Sequence, residues 1–161
     1  MDRIIELEGA SAAELARESG QRILRMTPDR PSGDTVQAVL RRRIDEIAQA
    51  IRDKDLDRLM PFYAREVEVF DLRFSLNVLG APAYRNNLEH WFDSFEGPIG
   101  FEIHSLRMVV ADVAAFCHYL GLVTGMRPGG RTSGYWVRGT TCFERRDGEW
   151  LVTHEHISTP T

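Results

Sequence analysis

Cysteine is scarce, at 2 of 161 residues, which excludes a disulfide-stapled scaffold. Basic charge is not in excess either: 20 Lys and Arg stand against 24 Asp and Glu, for a net charge of −4 and a pI near 5.7. Nucleic-acid binding needs a coherent basic face to neutralise phosphates, and Arg41-Arg42-Arg43 and Arg145-Arg146 are too short to make one. No apolar run approaches the roughly 18 residues that would span a bilayer. The first residues carry Asp2, Glu6, Glu8 and Glu14 without an apolar stretch, so they do not read as a secretory signal. A cytoplasmic protein with Cys117 and Cys142 reduced is expected. Repeats and low-complexity tracts are also missing. Gly129 and Gly130 follow Pro128 in a hairpin setting, without the strand-to-helix context of a phosphate loop.

What remains is an ordinary globular composition, 43% hydrophobic and 27% charged, of a length that suits one domain with a short extension. Residues 1–32 read as that extension, with one short helix over 11–25 beginning at a capping box, Ser11 followed by Glu14. The stretch TPDRPSGD interrupts the pattern and places the boundary, so residues 33–161 form the domain. Val36, Leu40, Ile44, Ile47 and Ile51 recur at helical spacing. A short second helix with Leu56, Leu59, Met60 and Tyr63 precedes the alternating strand EVEVFDL, which ends at Asp71. A third helix carries Tyr84, Leu88, Trp91, Phe92 and Phe95 on one side.

After GPIG the texture changes to long strands. FEIHSLRMVV slips parity near Ser105, as a β-bulge would cause. VAAFCHYLGLVTG, SGYWVRGTTCFERR and EWLVTHEHIST follow, joined by the Pro128-Gly129-Gly130 turn and the tight Asp147-Gly148 turn. Helices followed by hairpin-linked strands predict an α+β fold: a strongly curved antiparallel sheet with helices across its concave face.

The order of helix, DLDRLMPFYAREVEVFD, aromatic helix and the ending CFERRDGEWLVTHEHIST resembles the nuclear transport factor 2-like superfamily. The resemblance covers roughly residues 35–158 and is closest to SnoaL-like and ketosteroid-isomerase-like members. RRDGEWLVTHEH is also similar to the end of the hub domain of calcium/calmodulin-dependent kinase II. The resemblance implies a cone around a pocket, commonly with a dimer through the outer sheet face. It implies no single function, since relatives include isomerases, cyclases, dehydratases, transport factors and association domains.

Because strand side chains alternate, the resemblance points Phe116, His118, Leu120 and Leu122 inward. It does the same for Val137, Gly139, Thr141 and Phe143. On the last strand it turns Leu151, Thr153, Glu155 and Ile157 inward, opposite Val152, His154 and His156. Asp71 matches the catalytic base of the ketosteroid isomerases. The positions of their two oxyanion donors are Ile47 and Thr141 here, and isoleucine cannot donate, so that oxyanion hole is absent.

Asp71 is therefore a candidate general base, or alternatively a strand-end aspartate that accepts backbone hydrogen bonds. His118 is a candidate acid/base partner, or a core histidine satisfied by a neighbour. Tyr63, Trp91, Phe95, Leu120, Thr141, Glu155 and Ile157 are the candidate lining. Glu155 inward would mark a polar floor; Glu155 outward would bring His154 and His156 inside instead. No metal and no organic cofactor are expected. Two readings stand together. One is a cofactor-independent isomerase, cyclase or dehydratase acting on a small apolar or weakly anionic molecule. The other is a non-catalytic ligand-binding or association domain. A homodimer through an outer face bearing Trp136, Arg138, Tyr119, Cys142, His154 and His156 fits both.

Overall fold

A computed structural model of the chain describes residues 35–72 and 76–160. The expected extension over residues 1–32 and the boundary after it lie outside the described residues. The elements are α1 (Val36–Arg52), α2 (Leu56–Leu59), a 3-10 turn (Met60–Phe62), β1 (Tyr63–Phe70) and β2 (Val78–Leu79), then α3 (Ala81–Asp93), β3 (Glu96–Val110), β4 (Ala114–Arg127), β5 (Arg131–Arg146) and β6 (Glu149–Ser158). The fold is α+β, as the strand-rich second half predicts.

Thr35 starts α1 by accepting the Ala38 amide at 3.2 Å, which satisfies one of the orphan donors of a first turn. The stripe of Leu40, Ile44, Ile47 and Ile51 is buried, and the helix packs against β3. Two cations fix its end to that strand region: Arg52 Nη1 donates to the Phe101 carbonyl at 2.8 Å, and Lys54 Nζ to the Phe95 carbonyl at 2.6 Å.

The six strands run in the order β2-β1-β6-β5-β4-β3. All neighbours are antiparallel except β1 and β6, which are parallel. β2 and β3 are the two edges, so the sheet curves without closing. The Asp147-Gly148 turn forms as expected, with φ of 51° and 87°, the left-handed pair that a two-residue hairpin turn uses. Several boundaries differ from the sequence expectation. GPIG lies inside β3, Tyr63 opens β1 instead of ending a helix, Phe95 follows α3, and the short edge strand β2 was not foreseen.

Bulges decide which side chains face inward. Ser105 sits at φ 53° where the β3–β4 register shifts between His104 and Arg107, as the parity slip predicts. A second shift lies between Cys142 and Phe143, which pair with His154 and Val152 and leave Thr153 as the extra residue on β6. The inward set on β6 is therefore Trp150 and Val152 before the bulge and Glu155 and Ile157 after it, so Leu151 does not share their face. On β4 the expected parity is inverted. Ala115, Cys117, Tyr119, Gly121 and Val123 are buried against the core, whereas Phe116 and His118 are exposed, Leu120 is half-buried and only Leu122 of the expected set is fully buried. Apolar residues occupy both faces of this central strand, so alternation alone could not choose.

The inverted parity depends on Gly139, whose position opposite Tyr119 leaves room for the phenol ring. A Cβ there would stand 2.6 Å from the Tyr119 hydroxyl, well inside contact distance. Gly139→Ala should therefore destabilise the fold by about 1–3 kcal/mol through overpacking, read as a lower urea midpoint with an unchanged slope.

Candidate functional site

Glu155 is 5% exposed and one of two buried polar or charged side chains among the described residues, the other being Thr141. A carboxyl so placed is costly unless hydrogen bonds replace water, and three hydroxyls meet it. Tyr84 donates to Oε2 at 2.7 Å, Tyr63 to the same oxygen at 3.2 Å, and Thr141 to Oε1 at 3.2 Å. These donors come from α3, the start of β1 and β5. The side chains of Tyr119 and Cys117 engage Thr141 behind them. Burial raises the pKa of Glu155, the three hydroxyls pull against that, and the nearby Asp71 carboxylate adds to it. Burial first, and the Glu155 charge second, hold Tyr63, Tyr84 and Tyr119 well above the usual phenol range. Burial pushes the Cys117 thiol up to about 12, so it is no nucleophile at neutral pH.

A second group lies nearer solvent. Asp71, just past the end of β1, is half-buried and accepts from its neighbour Leu72 N at 2.7 Å and from Asn87 Nδ2 at 2.5 Å. Its negative charge adds to the upward shifts of Tyr84, Tyr135 and Glu155, behind the larger effect of burial. Trp91 and Tyr135 are half-buried there, with Trp91 Nε1 donating to the Tyr135 hydroxyl at 3.1 Å. Arg127 lies 3.9 Å over the Phe95 ring, 6.0 Å from the Tyr135 ring centre, and is anchored to Ser94 and Ser133.

The structure thus brings Tyr63, Thr141 and Glu155 together inside, and sets Asp71 and Trp91 at the rim. Ile157 packs against the core and Phe95 is buried within it. His118 and Leu120 are not with them. They pair with Arg107 and His104 on β3 and with Thr140 and Arg138 on β5, on the outer face, because β4 presents Cys117 and Tyr119 inward. Tyr119, expected outside, is inside for the same reason. His154 and His156 face outward against Phe70, at ring separations of 4.8 and 5.8 Å. Cys117 and Cys142 are both free and lie on opposite faces. Tyr63, Tyr84 and Tyr119 are all buried. Two surface grooves, one along Asp53–Asp57 with Arg85 and one along α1, do not include Glu155 or its partners.

A family model described as a SnoaL-like domain matches residues 40–161. The chain belongs to the SnoaL-like family. Among solved structures, a nuclear transport factor 2-like protein of unknown function from Pseudomonas putida KT2440 is 30% identical, with a TM-score of 0.70 over 80% of this chain and 90% of that one. A ketosteroid isomerase-like protein from Erwinia carotovora atroseptica SCRI1043 has a TM-score of 0.66 at 13% identity, over 77% of this chain and 95% of that one. The association domain of the C. elegans CaMKII has a TM-score of 0.62 at 15% identity, over 76% and 95%. These last two share the fold. No curated protein matches the chain.

In this SnoaL-like domain the sequence reading missed Tyr84, Asn87 and Tyr135. Tyr84, Asn87 and Trp91 stand at i, i+3 and i+7 on α3 and so share one helix face, and an asparagine within that aromatic stripe was the available signal. Among the described residues no group of three His, Cys, Asp or Glu side chains is gathered to hold a metal ion.

The raised pKa of Glu155 fixes a sign for stability against pH. The folded state binds this proton more tightly than the unfolded chain, so the stability gained is complete below the ordinary value of 4.5 and is lost as pH rises through the folded value. Urea unfolding should show wild type losing stability relative to Glu155→Gln as pH climbs from 4.5. Parallel pH profiles for the two proteins would contradict the assignment.

Proposed function

We propose that this SnoaL-like domain binds a small organic molecule at the rim of its cone and moves a proton on it, with Asp71 as the base. The observation that carries this is the Asp71 carboxylate held at 2.5 Å by Asn87 above a buried carboxyl and two buried phenols. A general base must be positioned and within reach of its substrate, and Asp71 is half-exposed while Glu155 is sealed. In this reading Glu155, Tyr63, Tyr84 and Thr141 shape and stiffen the floor, and Trp91 offers an apolar wall. The reaction class is abstraction of a proton next to a carbonyl, the step that isomerisation and dehydration share. A ketosteroid isomerase-like name on a structure of the same fold is consistent with it. No organic cofactor or metal enters this scheme, and a cytoplasmic setting suits its two free thiols.

A second reading, association, is favoured by the outer sheet face. Val109, Phe116 and Phe70 are 56%, 42% and 39% exposed there, beside half-buried Trp136, Leu120 and Cys142. Apolar and aromatic side chains grouped on one face suit a buried interface better than a solvated surface. A homodimer through this face is compatible with catalysis at the rim.

Two measurements test these readings. In D2O, wild-type protein should accelerate hydrogen–deuterium exchange beside the carbonyl of cyclohexanone or cyclohex-2-en-1-one. Asp71→Asn should slow that exchange by about a hundredfold or more. Equal rates for the two proteins would remove Asp71 from the chemistry. In sedimentation at micromolar concentration wild type should be a dimer and Phe116→Arg a monomer; a monomeric wild type would end the association reading.

A further inference from the structure

The inward set of β4 continues past Val123. Strand alternation carries it to Gly125 and Arg127, and carries the inward set of β5 back through Tyr135 to Ser133, which is opposite Gly125 in the register. An arginine therefore stands on the concave side at the rim. Gly125 makes its place: a Cβ there would be 2.6 Å from the Phe95 ring, so the ring lies over bare backbone, and the half-buried Arg127 guanidinium sits 3.9 Å above the ring.

Three hydrogen bonds fix this guanidinium. Nε donates to Ser133 Oγ at 3.0 Å, and Nη1 donates to Ser94 Oγ at 2.7 Å and to the Ser94 carbonyl at 3.2 Å. All three acceptors are neutral. None of the hydrogen bonds among the described residues uses Nη2, and none of the ion pairs among them includes Arg127. The acids nearby are engaged elsewhere: Glu96 accepts from the Gly129 amide at 3.4 Å, and Asp71 is held by Asn87. Opposite Arg127 in the register is another cation, Arg131. A guanidinium partly out of water, already oriented and without a carboxylate, retains a strong attraction for an anion, and little ordering cost remains when one binds.

The surroundings narrow the class of anion. Trp91 meets Phe95 edge to face at 5.9 Å and donates to the Tyr135 hydroxyl, so half-buried aromatic rings flank the charge. The two N–H groups of one nitrogen suit a carboxylate oxygen, and the rings suit an apolar body. We propose that the rim carries an anion site at Arg127 whose ligand is a small aromatic or alicyclic monocarboxylate, its carboxylate on Nη2 and its body against Trp91 and Tyr135. This goes beyond the proton-transfer reading and does not require Asp71 to be a base.

Titration of the whole nitrogen-15-labelled chain with benzoate, followed by NMR, tests the site. Benzoate should shift the Trp91 indole N–H, assigned through Trp91→Phe, together with the amides of Ser94 and Ser133. It should bind at least about tenfold more tightly than benzamide, its neutral isostere, and Arg127→Gln should remove that preference, as loss of a charged hydrogen bond implies. A folded Arg127→Gln that binds benzoate like wild type overturns the proposal. Should that variant fail to fold, wild type decides, because equal affinities for benzoate and benzamide overturn it equally. So do shifts confined to the groove along α1, where Arg42, Arg52 and Arg58 lie, or no shift at millimolar benzoate. The result is separable from the deuterium-exchange test: a wild type that exchanges no ketone but prefers benzoate through Arg127 loses the base and keeps this site.

Discussion

A carboxyl group without water must be surrounded by donors or it will not stay inside a protein. Glu155 meets that requirement through one residue each from α3, β1 and β5, and the arrangement of the cone follows from it. Tyr63 is the first residue of β1, so its bond helps set where the chain joins β6 in the one parallel pairing of the sheet. Tyr84 holds α3 across the concave side. Thr141 carries the contact to β5 and, through Cys117 and Tyr119, to β4. No buried side-chain nitrogen or oxygen among the described residues lacks a partner, so the cluster is complete as it stands.

The same helix that reaches the buried carboxyl also furnishes the rim. Tyr84 points to Glu155, one turn later Asn87 holds Asp71, and Trp91 a turn beyond binds Tyr135. A rotation or slide of α3 would disturb all three contacts together. The buried cluster therefore acts on the proposed chemistry by position. It fixes the helix whose outer turns orient a solvent-accessible carboxylate and a phenol. The two carboxyl groups differ in exposure: Glu155 is buried, and Asp71 is half-exposed.

The α+β architecture was legible because its signals are local. Helical spacing from Val36 to Ile51, the Asp147-Gly148 turn and the parity slip at Ser105 each report one element and survive in the structure. Facing was legible only where one side of a strand is polar. On β5 the alternation placed Val137, Gly139, Thr141 and Phe143 correctly. On β4 both sides are apolar, and the choice was made by the space over Gly139, a fact about a neighbouring strand. On β6 the extra residue Thr153 turned Glu155 inward while keeping Val152 inside as well, which no strict alternation allows. Tyr63 and Thr141, expected beside Glu155, both hydrogen-bond to it, and Tyr84, whose reach depends on tertiary placement, joins them.

The Tyr84–Glu155 hydrogen bond ties α3 to the sheet. A double-mutant cycle with Tyr84→Phe and Glu155→Gln, measured by urea unfolding at neutral pH, tests it most directly. A bond that ties the helix to the sheet should give a coupling energy of about 0.5–3 kcal/mol between the two positions. Additive effects, agreeing within about 0.3–0.5 kcal/mol, would show that the two side chains stabilise the fold independently and would contradict it.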